Sequence, residues 1–92
     1  MSEQRMSSRQ VTIGTAATPL GEGMVGSSTF HMFCEAGGNS SIYLGGSAVT
    51  TSTGYLLHKG VPISMVIPER VQLYAIAANA GDVVYVLQIG GI

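Results

Sequence analysis

From about residue 10 onward, apolar and polar side chains alternate along the chain, and glycine or proline interrupts the alternation every few residues. Positions two apart share a face of an extended backbone, so this pattern predicts short β-strands and gives helix no foothold. The strands expected are Gln10–Ile13, Thr29–Glu35, Ser41–Leu44, Tyr55–Leu57, Pro62–Ile67, Val71–Ala77 and Val83–Ile89. In Thr29–Glu35 the wholly apolar set Phe30, Met32 and Cys34 should face the core, and His31, Phe33 and Glu35 the other side. The same rule puts Val11 and Ile13 on one face of their strand, sets Ile42 and Leu44 opposite Tyr43, and turns Ile63, Met65 and Ile67 inward with Ser64 and Val66 outward. Val83 to Ile89 is apolar on both faces. Such a strand is either central in a sandwich or uses one face as an oligomer contact.

The stretch Ser41–Gly60 organises the rest: a strand, Gly45-Gly46, a Ser/Thr-rich connection from Ser47 to Thr53, and a second strand after Gly54. Its composition suits turning or extended backbone and disfavours helix. Ala16 to Gly26 reads as a loop with one irregular edge strand. Gly37-Gly38-Asn39 is read as the turn of an antiparallel hairpin, and Ala78–Asp82 as the loop of another. Gly90-Gly91 is read as a flexible end. The expected fold is all-β: a small antiparallel sandwich or flattened barrel of about seven to eight short strands, with a polar N-terminal arm. Residues 1–10 form that arm, and residues 11–92 a single β domain.

Composition adds a physical pressure. A chain of 92 residues withdraws only about 60–65% of its unfolded surface from water, so its stability margin is thin. Small domains offset this with disulfides, metals or association. One cysteine, Cys34, excludes an internal disulfide, and no ligand cluster is evident. Charged residues are 10% of the chain and hydrophobic ones 46%, against about 25% charged in an ordinary soluble domain. A body so poor in charge is expected to cover part of its outside with a partner. A Ser/Thr/Gly-solvated surface is the alternative. Net charge is −1 with signs mixed, which argues against nucleic acid or an anionic membrane as partner. The polar MSEQRMSSRQ start lacks a secretion signal's apolar core, and the lone thiol fits a reducing cytoplasm.

Candidate chemistry is sparse. His31 and Cys34 are three apart, which on a strand sends them to opposite faces and prevents shared metal ligation. Cys34 reads as a small buried hydrophobe. A Cys34–His58 nucleophile pair would need an orienting carboxylate that Asp82 or Glu69 cannot be shown to supply. The acids Glu3, Glu22, Glu35, Glu69 and Asp82 are scattered and read mostly as solvated. Tyr43, Tyr55, Tyr74 and Tyr85 could stack on sugars or bases, but they alternate with core positions and lack a basic groove. The expectation is a protein without catalytic residues, cofactor, metal or small-molecule substrate.

The strings IYLGGSAVTTSTGYLL and LYAIAANAGDVVYVLQ, with VTIG before them, resemble small structural proteins of tailed bacteriophages. The resemblance runs from Val11 to Ile89, while FHMFCEA at Phe30–Ala36 is bulkier than that pattern. It implies a capsid decoration protein: a β-sandwich on the virion surface, made in a bacterial cytoplasm, cementing the major capsid protein lattice. It further implies a homo-oligomer, a trimer being the first choice. Candidate capsid or oligomer contacts are Arg5 and Arg9 in the arm and Val84 and Val86 in the last strand. A place at the head–tail joint or in the tail, or a carbohydrate-binding surface module, are the alternatives.

Overall fold

The computed structural model describes residues 5–35 and 41–90. Eight strands succeed one another: β1 (Arg5–Thr12), β2 (Thr18–Glu22), β3 (Ser28–Cys34), β4 (Ile42–Gly45), β5 (Tyr55–Leu57), β6 (Ile63–Ile67), β7 (Gln72–Ala77) and β8 (Val83–Gly90). They form two four-stranded sheets, one in the order β1-β8-β3-β6 (sheet I) and the other β2-β7-β4-β5 (sheet II). Every strand pairing is antiparallel. The chain crosses between sheets after every strand except β4, an order that makes two interlocked Greek keys and hence a jelly roll. The expected all-β sandwich is the architecture found.

The core fills the space between the sheets, and periodicity explains who is in it. Phe30, Met32 and Cys34 of β3, Val84 and Val86 of β8, and Ile42 and Leu44 of β4 all point inward and are buried. Ile13 and Leu20 join them from the first connection and β2, and Leu57, Ile67, Leu73, Ala75 and Ala77 from the other strands. Strand β8 is central in sheet I, flanked by β1 and β3; its Val84 and Val86 are buried in the core, while Tyr85, Leu87 and Ile89 on its outer face stay partly exposed.

Several expectations are corrected. The arm expected over residues 1–10 is strand from Arg5 onward: Arg5 to Gln10 pair with Tyr85–Gly90 as the first part of β1. This segment alternates Met6, Ser8 and Gln10 outward with Ser7, Arg9 and Val11 less exposed, a polar version of the strand pattern. Residues 1–4 lie outside the described residues. Neither expected hairpin forms. Strands β3 and β4 sit in opposite sheets, as do β7 and β8. Residues 36–40, which hold the expected Gly37-Gly38-Asn39 turn, are outside the described residues. Gly90 belongs to β8 rather than to a loose end, and a Cβ there would lie 2.7 Å from the Ser27 carbonyl oxygen.

Candidate functional site

The two outer faces of the sandwich are built differently, and that difference is the main surface feature. On sheet I the outward positions of neighbouring strands fall into cross-strand rows. Gln10, Tyr85 and Phe33 make one row, and Ser8, Leu87, His31 and Ser64 the next. A third row holds Met6, Ile89, Thr29 and Val66. Across the first two rows runs an open groove of about 710 Å³, bordered at one end by Pro62. Its surface is mostly apolar, with Ser8, Gln10 and His31 adding neutral hydrogen-bonding groups. Tyr85 donates its hydroxyl hydrogen to Glu35 Oε1 at 2.9 Å. That bond, helped by the carboxylate's charge, raises the Tyr85 pKa, because the neutral phenol is the donor.

Sheet II carries its own cover. Val49 and Ile76 are both buried, yet neither belongs to the core between the sheets. The 46–54 connection folds back so that Val49 sits on Gly45. A Cβ on Gly54 would come within 2.9 Å of Val49 Cγ2 and would also crowd Tyr43. Thus Gly45 and Gly54 provide space for a plug. Neither Gly45 nor Gly46 adopts a left-handed backbone. The Ser/Thr run holds the fold-back in shape. Thr53 N donates to Thr50 Oγ1 (3.1 Å), Gly54 N to the Thr50 carbonyl (2.9 Å), and the two threonine hydroxyls meet at 3.0 Å.

Inside the sandwich, polar groups occupy both ends. At one end Arg9 Nε donates to the Leu20 carbonyl (2.8 Å) and Nη2 to Gln88 Oε1 (2.9 Å). Gln88 Nε2 donates to the Glu22 carbonyl (2.8 Å) and to Ser28 Oγ (3.1 Å). This network ties β1, β8 and β3 of sheet I to the backbone of β2 in sheet II. Gly21 is the gap that admits it, since a Cβ there would overlap the Arg9 guanidinium. At the other end Lys59 Nζ pairs with Asp82 Oδ2 at 2.6 Å, both largely withdrawn from water. Among the described residues, no buried side-chain nitrogen or oxygen lacks a partner. Satisfied buried networks of this kind fix one packing against alternatives.

The residues singled out by sequence separate on this frame. Val84 and Val86 are core residues and cannot be contacts, because β8 turns them toward sheet II. The outward set on the same strand is Tyr85, Leu87 and Ile89. Arg9 faces inward and is held by Leu20 and Gln88, so it is a strut between sheets. The backbone of Arg5 pairs with Gly90. His31 is exposed and Cys34 buried, on opposite faces as their spacing requires. Burial raises the Cys34 thiol pKa, with the Lys59 charge pulling the other way. Lys59 is thus the cation that acts on Cys34, while His58 is exposed beyond β5. Asp82, read as a solvated turn acid, is instead buried and ion-paired.

The tyrosines divide among faces. Tyr43 and Tyr74 are on the outside of sheet II, Tyr85 is on the outside of sheet I, and Tyr55 lies on edge strand β5. They form no common stacking platform. Among the described residues no group of three His, Cys, Asp or Glu side chains converges as a metal site requires. The Arg9–Gln88 network was missed in the sequence, although parity announces it: Gln88 shares its face with Val84 and Val86, and Arg9 with Val11.

No protein-family profile matches the chain, and no curated protein does. In three dimensions it is similar to a chain from a study titled "Bacillus endospore appendages form a novel family of disulfide-linked pili". The TM-score is 0.65 at 12% sequence identity, covering 96% of this chain and 85% of that one. At that identity the likeness concerns the fold: an eight-stranded, two-sheet antiparallel β-sandwich.

Proposed function

We propose that this chain is a non-catalytic structural protein of a phage virion, one that decorates the capsid shell and binds the major capsid protein lattice through the outer face of sheet I. The observation that carries the reading is the contrast between the two outer faces. Part of sheet II is covered by its own 46–54 connection, which seats Val49 on Gly45, whereas sheet I presents a groove lined by Phe33, Tyr85 and Leu87. An apolar face on a chain with 10% charged residues gains most when another protein surface covers it. A shell offers that surface in many copies, so modest contacts add up when several subunits engage together. The sequence resemblance to small phage structural proteins points the same way.

The test is co-sedimentation of the purified protein with capsids that lack it. Wild type should pellet with shells to a fixed ratio, and Leu87→Lys should stay in the supernatant while keeping its far-ultraviolet spectrum. A wild-type protein that never pellets with shells would overturn the reading.

The fold likeness to an appendage chain favours a second reading, a subunit that polymerises by itself. Electron micrographs of the purified protein separate the two, since only this reading expects filaments without shells. Linkage in such a filament would not run through Cys34, which is 2% exposed in the folded chain.

A further inference from the structure

Each sheet ends in two edge strands, and three of the four edges carry a recognisable guard against further pairing. Strand β2 contains Pro19 and a register shift between Pro19 and Gly21. Strand β5 has only three residues. Strand β1 carries Arg5 and Arg9, the latter pointed inward. Proline, bulges, short length and charge are the devices by which natural sheets stop strangers from adding a strand. Strand β6, Ile63-Ser64-Met65-Val66-Ile67, has none of them. It is uncharged, of full length and rich in strand-forming residues, and Pro62 and Pro68 bound it without entering it. Among the described residues it pairs only with β3.

A second observation concerns the core beneath that edge. Ile63 and Met65 point inward and pack on the core, but both stay partly exposed, unlike Phe30 and Met32 beside them on β3. The sandwich is therefore open along the β5–β6 side. Val66 (64% exposed), Tyr55 (66%) and Val61 (55%) lie on these two strands and their connection, with Leu56 next to them. Among the described residues, half of the large exposed hydrophobic side chains belong to this one flank.

We infer that β6 is a self-pairing edge, and that its occupant is the β6 strand of a second copy of this chain, joined antiparallel about a twofold axis at Met65. In that register Met65 meets its own counterpart, Ile63 meets Ile67, and Ser64 meets Val66. The inward and outward positions of β6 are symmetric about Met65, so the pairing keeps every core residue on the core side. An uncharged strand opposes no like charge when it meets itself. The axis that joins the two copies of sheet I also brings the β5 edges of sheet II together, placing Tyr55 and Leu56 against their counterparts. An edge of this kind accepts one partner, so it makes a dimer, where the sequence resemblance favoured a trimer. The pairing is independent of shell binding, which uses the outer face of sheet I.

Ser64 and Val66 are both exposed, so they can be changed without disturbing the core. Sedimentation equilibrium of the wild type should show a concentration-dependent dimer. The double variant Ser64→Lys/Val66→Lys puts lysine opposite lysine twice and should weaken the dimer by at least ~10-fold. The double variant Ser64→Cys/Val66→Cys should form a covalent dimer under mild oxidation, with Ser8→Cys/Gln10→Cys, on the opposite edge strand, as the control. A wild type that stays monomeric at high concentration would overturn the inference. So would a dimer indifferent to the lysine pair, or equal cross-linking by the control.

Discussion

The two outer faces start from the same material and end in opposite conditions. Both are central strands with apolar outward residues: Ile76 and Tyr43 on sheet II, Leu87 and Tyr85 on sheet I. On sheet II the chain spends nine residues, 46–54, to lower Val49 onto that surface. On sheet I no segment among the described residues is laid over the groove. The lesson is that outward apolar residues on a small sandwich are not one class. Some are a second, private core and others are left for a partner. The distinction is set by a neighbouring loop rather than by the strand itself.

Matched substitutions should separate the faces most strongly. Ile76→Lys places an unpartnered charge at a buried position on the outer face of sheet II and should cost about 3 kcal/mol. In a domain of this size that is a drop of roughly 10–20 °C in melting temperature, read by calorimetry. Leu87→Lys, on the open face, can extend its amine to water and should cost about 1 kcal/mol or less. Equal losses in the two variants would dissolve the comparison. A smaller effect is expected from the plug. Gly54→Val pushes two extra methyl groups and a Cβ toward Val49 and Tyr43 and should cost about 1–3 kcal/mol. Val49→Ala should cost about 1–2 kcal/mol by exposing what it covers. If chemical denaturation finds both neutral, the fold-back is not a packed element.

The smallest effect belongs to Tyr85. Tyr85→Phe loses one exposed, solvent-screened hydrogen bond to Glu35 and should leave stability at neutral pH almost unchanged. The raised pKa gives its sign with pH: the contribution is present below the ordinary tyrosine value of 10.0 and is lost as pH climbs through the folded one. In an ultraviolet titration of the folded protein, Tyr85→Phe should remove a component that ionises above that ordinary value. A wild-type titration with no such component would show that the pairing with Glu35 does not persist in solution.

Much of this interior was legible in the sequence, and the illegible part has a physical cause. Period-two alternation names Phe30, Met32 and Cys34 as inward and sets Ile42 and Leu44 together opposite Tyr43, because side-chain direction depends only on the strand's own backbone. Partner choice does not. Residues Phe30 to Cys34 alternate identically whether β4 lies beside them in the same sheet or across the core, so proximity in sequence wrongly favoured hairpins at β3–β4 and β7–β8. The buried ion pair was hidden for a related reason: Lys59 and Asp82 sit in two turns that only the jelly-roll crossing brings together. Arg9 and Gln88 were hidden by habit, since polar residues at inward parity invite a solvent reading unless a partner is known. The open groove could not be read at all, because it depends on where the 46–54 connection lies.

The crossing order also carries a kinetic cost. Of all the strand pairs, only β4 with β5 joins consecutive strands. The outermost pairing, β1 with β8, matches Arg5 to Gly90 and encloses all of the described residues. Ordering so many distant segments before they reward one another makes acquisition of the native state slow, on the order of milliseconds to seconds. The β4–β5 pair is the one ladder able to nucleate locally, and β1 must wait for β8 to leave the ribosome. A nascent jelly roll therefore keeps β1 unpaired until β8 has been made.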